Sequence, residues 1–168
     1  MIDRRSRTLT GLVVCLPVAA TLIVPPVPRL LWNATASAPV GLYLVTPGQQ
    51  THRGEFAIAW LPPKARMLAD HRRYLPASVP LVKPVAATGG DLVCACGVAI
   101  TVNQRIVAYR LRQDRAGRPL PWWQGCHRLA TAQVFLLGIA RPDSFDGRYF
   151  GPIDRDALIG TARPLWVR

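Results

Sequence analysis

Lysine is nearly missing from this chain. Of its twenty-one basic residues only Lys64 and Lys83 are lysines, and nineteen are arginines. Arginine stays protonated inside proteins, whereas a buried lysine can lose its proton and act as a base. Where a chain defaults to arginine, a lysine marks a position at which arginine would not serve. Lys64 lies between Pro63 and Ala65-Arg66 and reads as a surface charge. Lys83 lies in Pro80-Leu81-Val82-Lys83-Pro84-Val85-Ala86-Ala87, where no neighbour in sequence can neutralise it. An apolar strand of this kind desolvates an ammonium and lowers its pKa.

Other absences exclude whole classes. The net charge is +12, yet there is no long basic run and no basic stretch interleaved with aromatics, so nucleic acid is not an expected partner. Cys-x-Cys at Cys94 and Cys96, and Cys126 beside His127, fit no strong zinc spacing, so no metal is expected. His52 and His71 are isolated and read as solvated. There is no internal repeat and no low-complexity segment, and nothing calls for a cofactor.

Charge is absent from Thr8 to Pro28. As a helix this stretch would be about 31 Å long, the thickness of a bilayer core. Arg4, Arg5 and Arg7 precede it and Arg29 follows, which favours a cytoplasmic N-terminus. A cleaved signal peptide, cut after Ala34-Thr35-Ala36, is the rival reading. A buried core helix is a third. The retained anchor is preferred because the run reaches bilayer length. The basic exterior then suits anionic lipid headgroups. The chain divides into 1–32, a cytoplasmic tip and membrane anchor, and 33–168, a periplasmic domain.

That domain reads as mainly β. Strands are expected at Gly41–Val45, Phe56–Leu61, Val79–Ala86 and Gln133–Gly138. Leu92–Val102 reads as one extended run, Val102–Val107 as a hairpin, and Ala157–Val167 as a strand pair. One short polar helix is expected over Ala65–Tyr74. Proline and glycine recur every ten or so residues, as in a barrel-like body with few helices.

Three segments carry candidate chemistry. Ser37 stands among small residues in Asn33-Ala34-Thr35-Ala36-Ser37-Ala38-Pro39-Val40-Gly41-Leu42-Tyr43, which leaves space for a substrate backbone. Lys83 is the candidate base, since a neutral lysine within reach of a serine can accept its proton. Its free pKa must fall by about two to three units, and burial can supply about three to five. The third segment, Pro142-Asp143-Ser144-Phe145-Asp146-Gly147-Arg148-Tyr149-Phe150-Gly151, sets a hydroxyl and a carboxylate where they could orient the lysine. There Arg148 could hold Asp146 as a charge-assisted pair. A polar turn with one local ion pair is the plainer reading of that segment.

In this order the three segments, with Gly89-Gly90-Asp91 after Lys83, resemble the boxes of type I signal peptidases, in the conjugal transfer (TraF-type) pilin-processing branch. The resemblance implies a mainly β, signal-peptidase-like, β-barrel-type catalytic domain behind an N-terminal transmembrane helix. It implies Ser37 as nucleophile, Lys83 as general base and Asp146 as third functional residue, with Ser144 and Arg148 in support. Thr35 and the Ser37 backbone N–H would form the oxyanion hole. It also implies a Cys94–Cys126 disulfide, leaving Cys96 as a spare thiol. Ala38 stands where cellular leader peptidases usually carry Met, and Pro84 where they carry Arg. There is also no room for their large insertions, which points to a dedicated substrate.

The expected activity is that of a membrane-anchored serine endopeptidase on the periplasmic face of a bacterial inner membrane. Its partner would be a pilin precursor, or another pre-protein, with small residues before the cleaved bond. The acyl-enzyme could be resolved by water or, in cyclisation, by the pilin's own amine. A catalytically inactive periplasmic scaffold of the secretion machinery is the alternative. A soluble self-cleaving repressor of related fold is a further rival, and the apolar leader argues against it.

Overall fold

The computed structural model describes residues 29–35 and 38–168. The expected anchor over Thr8–Pro28 and Ser37 itself lie outside the described residues. Among the described residues no helix is long and apolar enough to cross a membrane.

Among the described residues, eleven strands form two antiparallel sheets. They are β1 (Leu30–Asn33), β2 (Gly41–Pro47), β3 (Phe56–Ala59), β4 (Leu81–Thr88), β5 (Leu92–Cys96), β6 (Ala99–Val102), β7 (Arg105–Tyr109), β8 (Gly125–Arg128), β9 (Gln133–Leu136), β10 (Ile153–Asp154) and β11 (Leu158–Val167). The larger sheet has the order β1-β2-β11-β3-β4-β9-β10, and the smaller has the order β7-β6-β5-β8. The protein is therefore mainly β. The larger sheet is open, with β1 and β10 at its edges.

Several elements differ from the sequence expectation, each for a physical reason. Leu92–Val102 is not one run: Gly97 adopts φ 56°, a left-handed conformation that glycine takes without strain, and the chain folds back there into β5 and β6. Ala157–Val167 is not a pair but mostly one strand, because β11 bonds to β2 along one edge and to β3 along the other. Strand β1 begins at Leu30, inside the segment assigned to the anchor, and pairs with β2 from Leu30↔Leu44 to Asn33↔Gly41. The β6–β7 hairpin forms where expected. Asn103 and Gln104 both take positive φ, as a tight two-residue turn between twisted strands requires.

Helix α1 (Pro63–His71) starts and stops before the expected 65–74. Proline at its first turn is preset for helix, and Arg73 at φ 59° ends it. Ala65 and Ala69, one turn apart, are its buried face. They join Ala57, Ala59, Leu81, Val85 and Leu136 in one apolar cluster. Lys83 occupies the same face of β4 as Leu81 and Val85, since side chains alternate along a strand. Opposite it in the ladder is Ala57, whose short side chain leaves space beside the amine.

Candidate active site

Lys83 is 2% exposed. Its Nζ donates to Ser144 Oγ at 2.5 Å. Among the described residues it makes no ion pair. Burial drives its pKa down from 10.5 to about 8. Asp146 opposes that fall, Arg148 adds to it, and Asp143 opposes it again. The direction follows from elementary electrostatics, because a cation in an apolar strand with no bonded anion favours its neutral form. A neutral amine that donates to Ser144 still has its lone pair for another proton.

Asp146 and Arg148 form a different arrangement. Both are buried. Asp146 Oδ1 accepts from Arg148 Nε at 2.9 Å, and Oδ2 accepts from Arg148 Nη2 at 3.0 Å and from the Gly138 amide at 2.8 Å. The guanidinium also donates to the carbonyls of Gly138, Arg141 and Pro142 at 2.6, 2.9 and 2.9 Å. Asp146 thus bonds to Arg148 and not to the lysine. The side chain that touches the amine is Ser144, and Asp146 acts on it through its field.

Helix α2 (Gly147–Phe150) is a single turn capped by Asp146, which accepts from the Arg148 amide. It presses against β9. A Cβ at Gly147 would lie 2.6 Å from the Phe135 ring and 2.7 Å from the Leu136 carbonyl. Only glycine lets this turn approach so closely, and that approach sets where Ser144 and Asp146 stand.

The segment around Ser37 is held by a residue that sequence reasoning did not single out. Asn33 is buried, and its amide nitrogen lies 2.9, 3.1 and 3.0 Å from the carbonyls of Thr35, Ala38 and Pro39. Its Oδ1 accepts from the Thr35 amide at 3.1 Å and from Thr35 Oγ1 at 2.8 Å. Tyr43 donates its hydroxyl to the Pro39 carbonyl at 2.7 Å. The backbone at Thr35 and at Ala38–Pro39 is therefore pinned by Asn33 and Tyr43. The available signal was an asparagine at the end of a strand before small residues, a type that bonds nearby backbone in turns.

Thr35, Lys83 and Ser144 line one cleft of ≈ 360 Å³ with Leu61, Leu81 and Phe145. A second, apolar recess is lined by Ala38, Pro39, Phe56, Pro84 and Ile139. Cys94 and Cys126 are bonded to each other, facing across β5 and β8, and Cys96 is free and exposed. His52, His71 and Lys64 are exposed. No cluster of metal-ligating side chains occurs among the described residues.

Residues 4–167 match the family described as signal peptidase, peptidase S26. The chain belongs to that family. It is 33% identical over 144 residues to the plasmid transfer protein TraF of Escherichia coli, covering 79% of this chain and 80% of that one. A probable conjugal transfer protein TraF of Sinorhizobium fredii is 32% identical over 144 residues, 79% of this chain and 74% of that one. A signal peptidase I of Enterococcus faecalis overlays loosely, at a TM-score of 0.39 and 16% identity, over 67% of this chain and 97% of that one. Within the peptidase S26 family, a buried lysine beside a serine-bearing turn is the feature from which chemistry can be built.

Proposed function

We propose that this peptidase S26 member is a membrane-anchored serine endopeptidase that uses Ser37 and Lys83 as a dyad. The observation that carries the reading is the buried Lys83 amine, free of any bonded carboxylate and 2.5 Å from Ser144 at the wall of an apolar cleft. The neutral amine takes the proton of Ser37 as the hydroxyl oxygen attacks the scissile carbonyl. The resulting ammonium then gives that proton to the departing amine, leaving an ester on Ser37. Water, or an amine of the substrate itself, opens the ester while Lys83 takes a proton from the attacking group and passes that proton to the departing Ser37 oxygen, which restores the free serine and the neutral amine. Ser144 holds the amine in place, and the Asp146–Arg148 pair holds the turn that carries Ser144. Thr35 supplies the oxyanion donor by turning its hydroxyl away from Asn33. A preorganised donor of this kind is worth about 3–4 kcal/mol.

The relatives' names, plasmid transfer and conjugal transfer proteins, support a substrate within the conjugation machinery, and the one proposed is a pilin precursor cut after small residues. The catalytic domain would lie in the periplasm behind the Thr8–Pro28 anchor. Leu30, Trp32, Leu165 and Trp166 are exposed where the chain emerges from that segment, and tryptophans of this kind suit a membrane interface.

The test is co-expression of the full chain with candidate pilin precursors, read by intact mass. Wild type yields the cut product, and a cyclic product is one water lighter than the linear one. Ser37→Ala and Lys83→Arg each stop processing while the protein stays folded. Because the lysine must be neutral, the rate falls about tenfold per pH unit below about 8 and levels off above it. Normal processing by Lys83→Arg would sink the dyad, and failure of acylating inhibitors to label Ser37 would favour the inactive scaffold.

A further inference from the structure

We propose that the cleft beside Lys83 is a subsite for a bulky apolar side chain of the precursor, next to an acidic residue. This deepens the proposed function and rests on it. The cleft holds ≈ 360 Å³, within the range of pockets that enclose whole small molecules. The methyl of an alanine before the cleaved bond would leave nearly all of it empty. Leu61, Leu75, Leu81, Leu120 and Phe145 line it, so desolvating a leucine-sized side chain there is favourable by about 1.5–3 kcal/mol.

The rim supplies the second half of the inference. Three arginines, Arg115, Arg118 and Arg141, share it with two aspartates, Asp114 and Asp143. Asp143 accepts from Arg141 Nε at 3.1 Å and Arg115 Nη2 at 2.5 Å. The bond from Arg141 holds it ionised, at a pKa of about 2. Asp114 accepts from Arg118 Nε at 2.7 Å and from the Tyr74 hydroxyl, and Arg72 stands 3.7 Å away. Each rim carboxylate is thus bracketed by two guanidiniums, and positive charge is left over. A guanidinium has five N–H donors, so one carboxylate does not exhaust it. The Arg115 side chain is 78% exposed and can turn its fork to a carboxylate arriving with the substrate. The Arg115–Asp143 pair is the solvated one, and a pair of that kind is weak, so it offers little competition. A basic group on the substrate would meet repulsion instead.

The experiment uses the full-length Ser37→Ala protein in nanodiscs with fluorescent peptides. Each peptide carries Ala-x-Ala, flanked on either side in turn by Leu-Glu, Leu-Lys, Ala-Glu or Ala-Ala. By anisotropy, Leu-Glu on one side binds at least tenfold tighter than Ala-Ala and about fivefold tighter than Leu-Lys. Arg115→Ser removes the preference for Glu over Lys but keeps that for Leu over Ala. Equal binding of all four peptides, or a Glu preference untouched by Arg115→Ser, overturns the subsite. Binding needs no turnover, so the two readings separate. If wild type cuts no peptide while the Leu-Glu preference holds, the dyad falls and the subsite stands. If wild type cuts the Ala-Ala peptide as well as the Leu-Glu peptide and binding is equal, the subsite falls and the dyad stands.

Discussion

The seven-stranded sheet carries Lys83 near its middle and packs against the turn bearing Ser144, Asp146 and Arg148, all of them buried. The four-stranded sheet buries one charge, Arg110 just after β7, which donates to the carbonyls of Gly97 and Trp123. Arg105, His127 and Arg128 are exposed, and nearly all of β7 and β8 faces solvent. What the smaller sheet has instead is the Cys94–Cys126 bond. One sheet offsets the penalty of its buried charges with a dense set of charge-assisted bonds that includes an ion pair. The other satisfies its buried guanidinium with backbone carbonyls alone and adds a covalent tie. Both sheets bury charge, and only the larger one buries a lysine, whose proton can leave.

Three variants would break or sharpen that contrast. The largest effect belongs to Asp146→Asn, which leaves the Arg148 guanidinium buried without its counter-ion. About 3–5 kcal/mol of stability should be lost in urea unfolding. A loss under 1 kcal/mol would mean the carbonyls of the 138–142 loop suffice. Next comes Cys94→Ser with Cys126→Ser. The bridged residues are 32 apart, and in the chain-entropy model opening that loop costs about 3–4 kcal/mol. Turnover per folded molecule should be unchanged, and a fall in kcat would show that the sheets are coupled. The smallest is Ser144→Ala. Loss of one buried bond costs about 1–2 kcal/mol and roughly tenfold in rate through misplacement of the amine. A serine oxygen stabilises the ammonium more than the neutral amine, so the acid limb should move to lower pH. Movement to higher pH would contradict the bond as drawn.

Much of the candidate site was legible because its signals are local. Scarcity drew attention to Lys83, and Leu81, Val82 and Val85 around it forecast its burial. Asp146 and Arg148, two residues apart, forecast their own pairing. What escaped was decided by partners distant in sequence. Gly125–Arg128 has no alternating pattern and is a strand only because β5 lies beside it. Leu30, Leu31 and Trp32 fell within the 1–32 anchor portion, and only their pairing with β2 makes them a strand with Asn33. The local pattern of residues 157–167 does not reveal that one strand serves two neighbours. Asn33 escaped because its role depends on the turn of the backbone around it, which composition does not encode. The direct partner of the lysine was blurred for the same reason. Ser144 and Asp146 both stood within reach on paper, and only the close packing of Gly147 against Phe135 decided between them.

Keeping Lys83 buried has a consequence for anyone who would improve the protein. Its pKa falls from 10.5 to about 8 on folding, so below pH 8 the folded state carries a penalty of about 3 kcal/mol. That penalty is relieved as the pH rises from 8 to 10.5. A methionine of similar length would escape it at every pH. A library selected for heat resistance alone should therefore return Lys83→Met among its winners, and those winners should be inert.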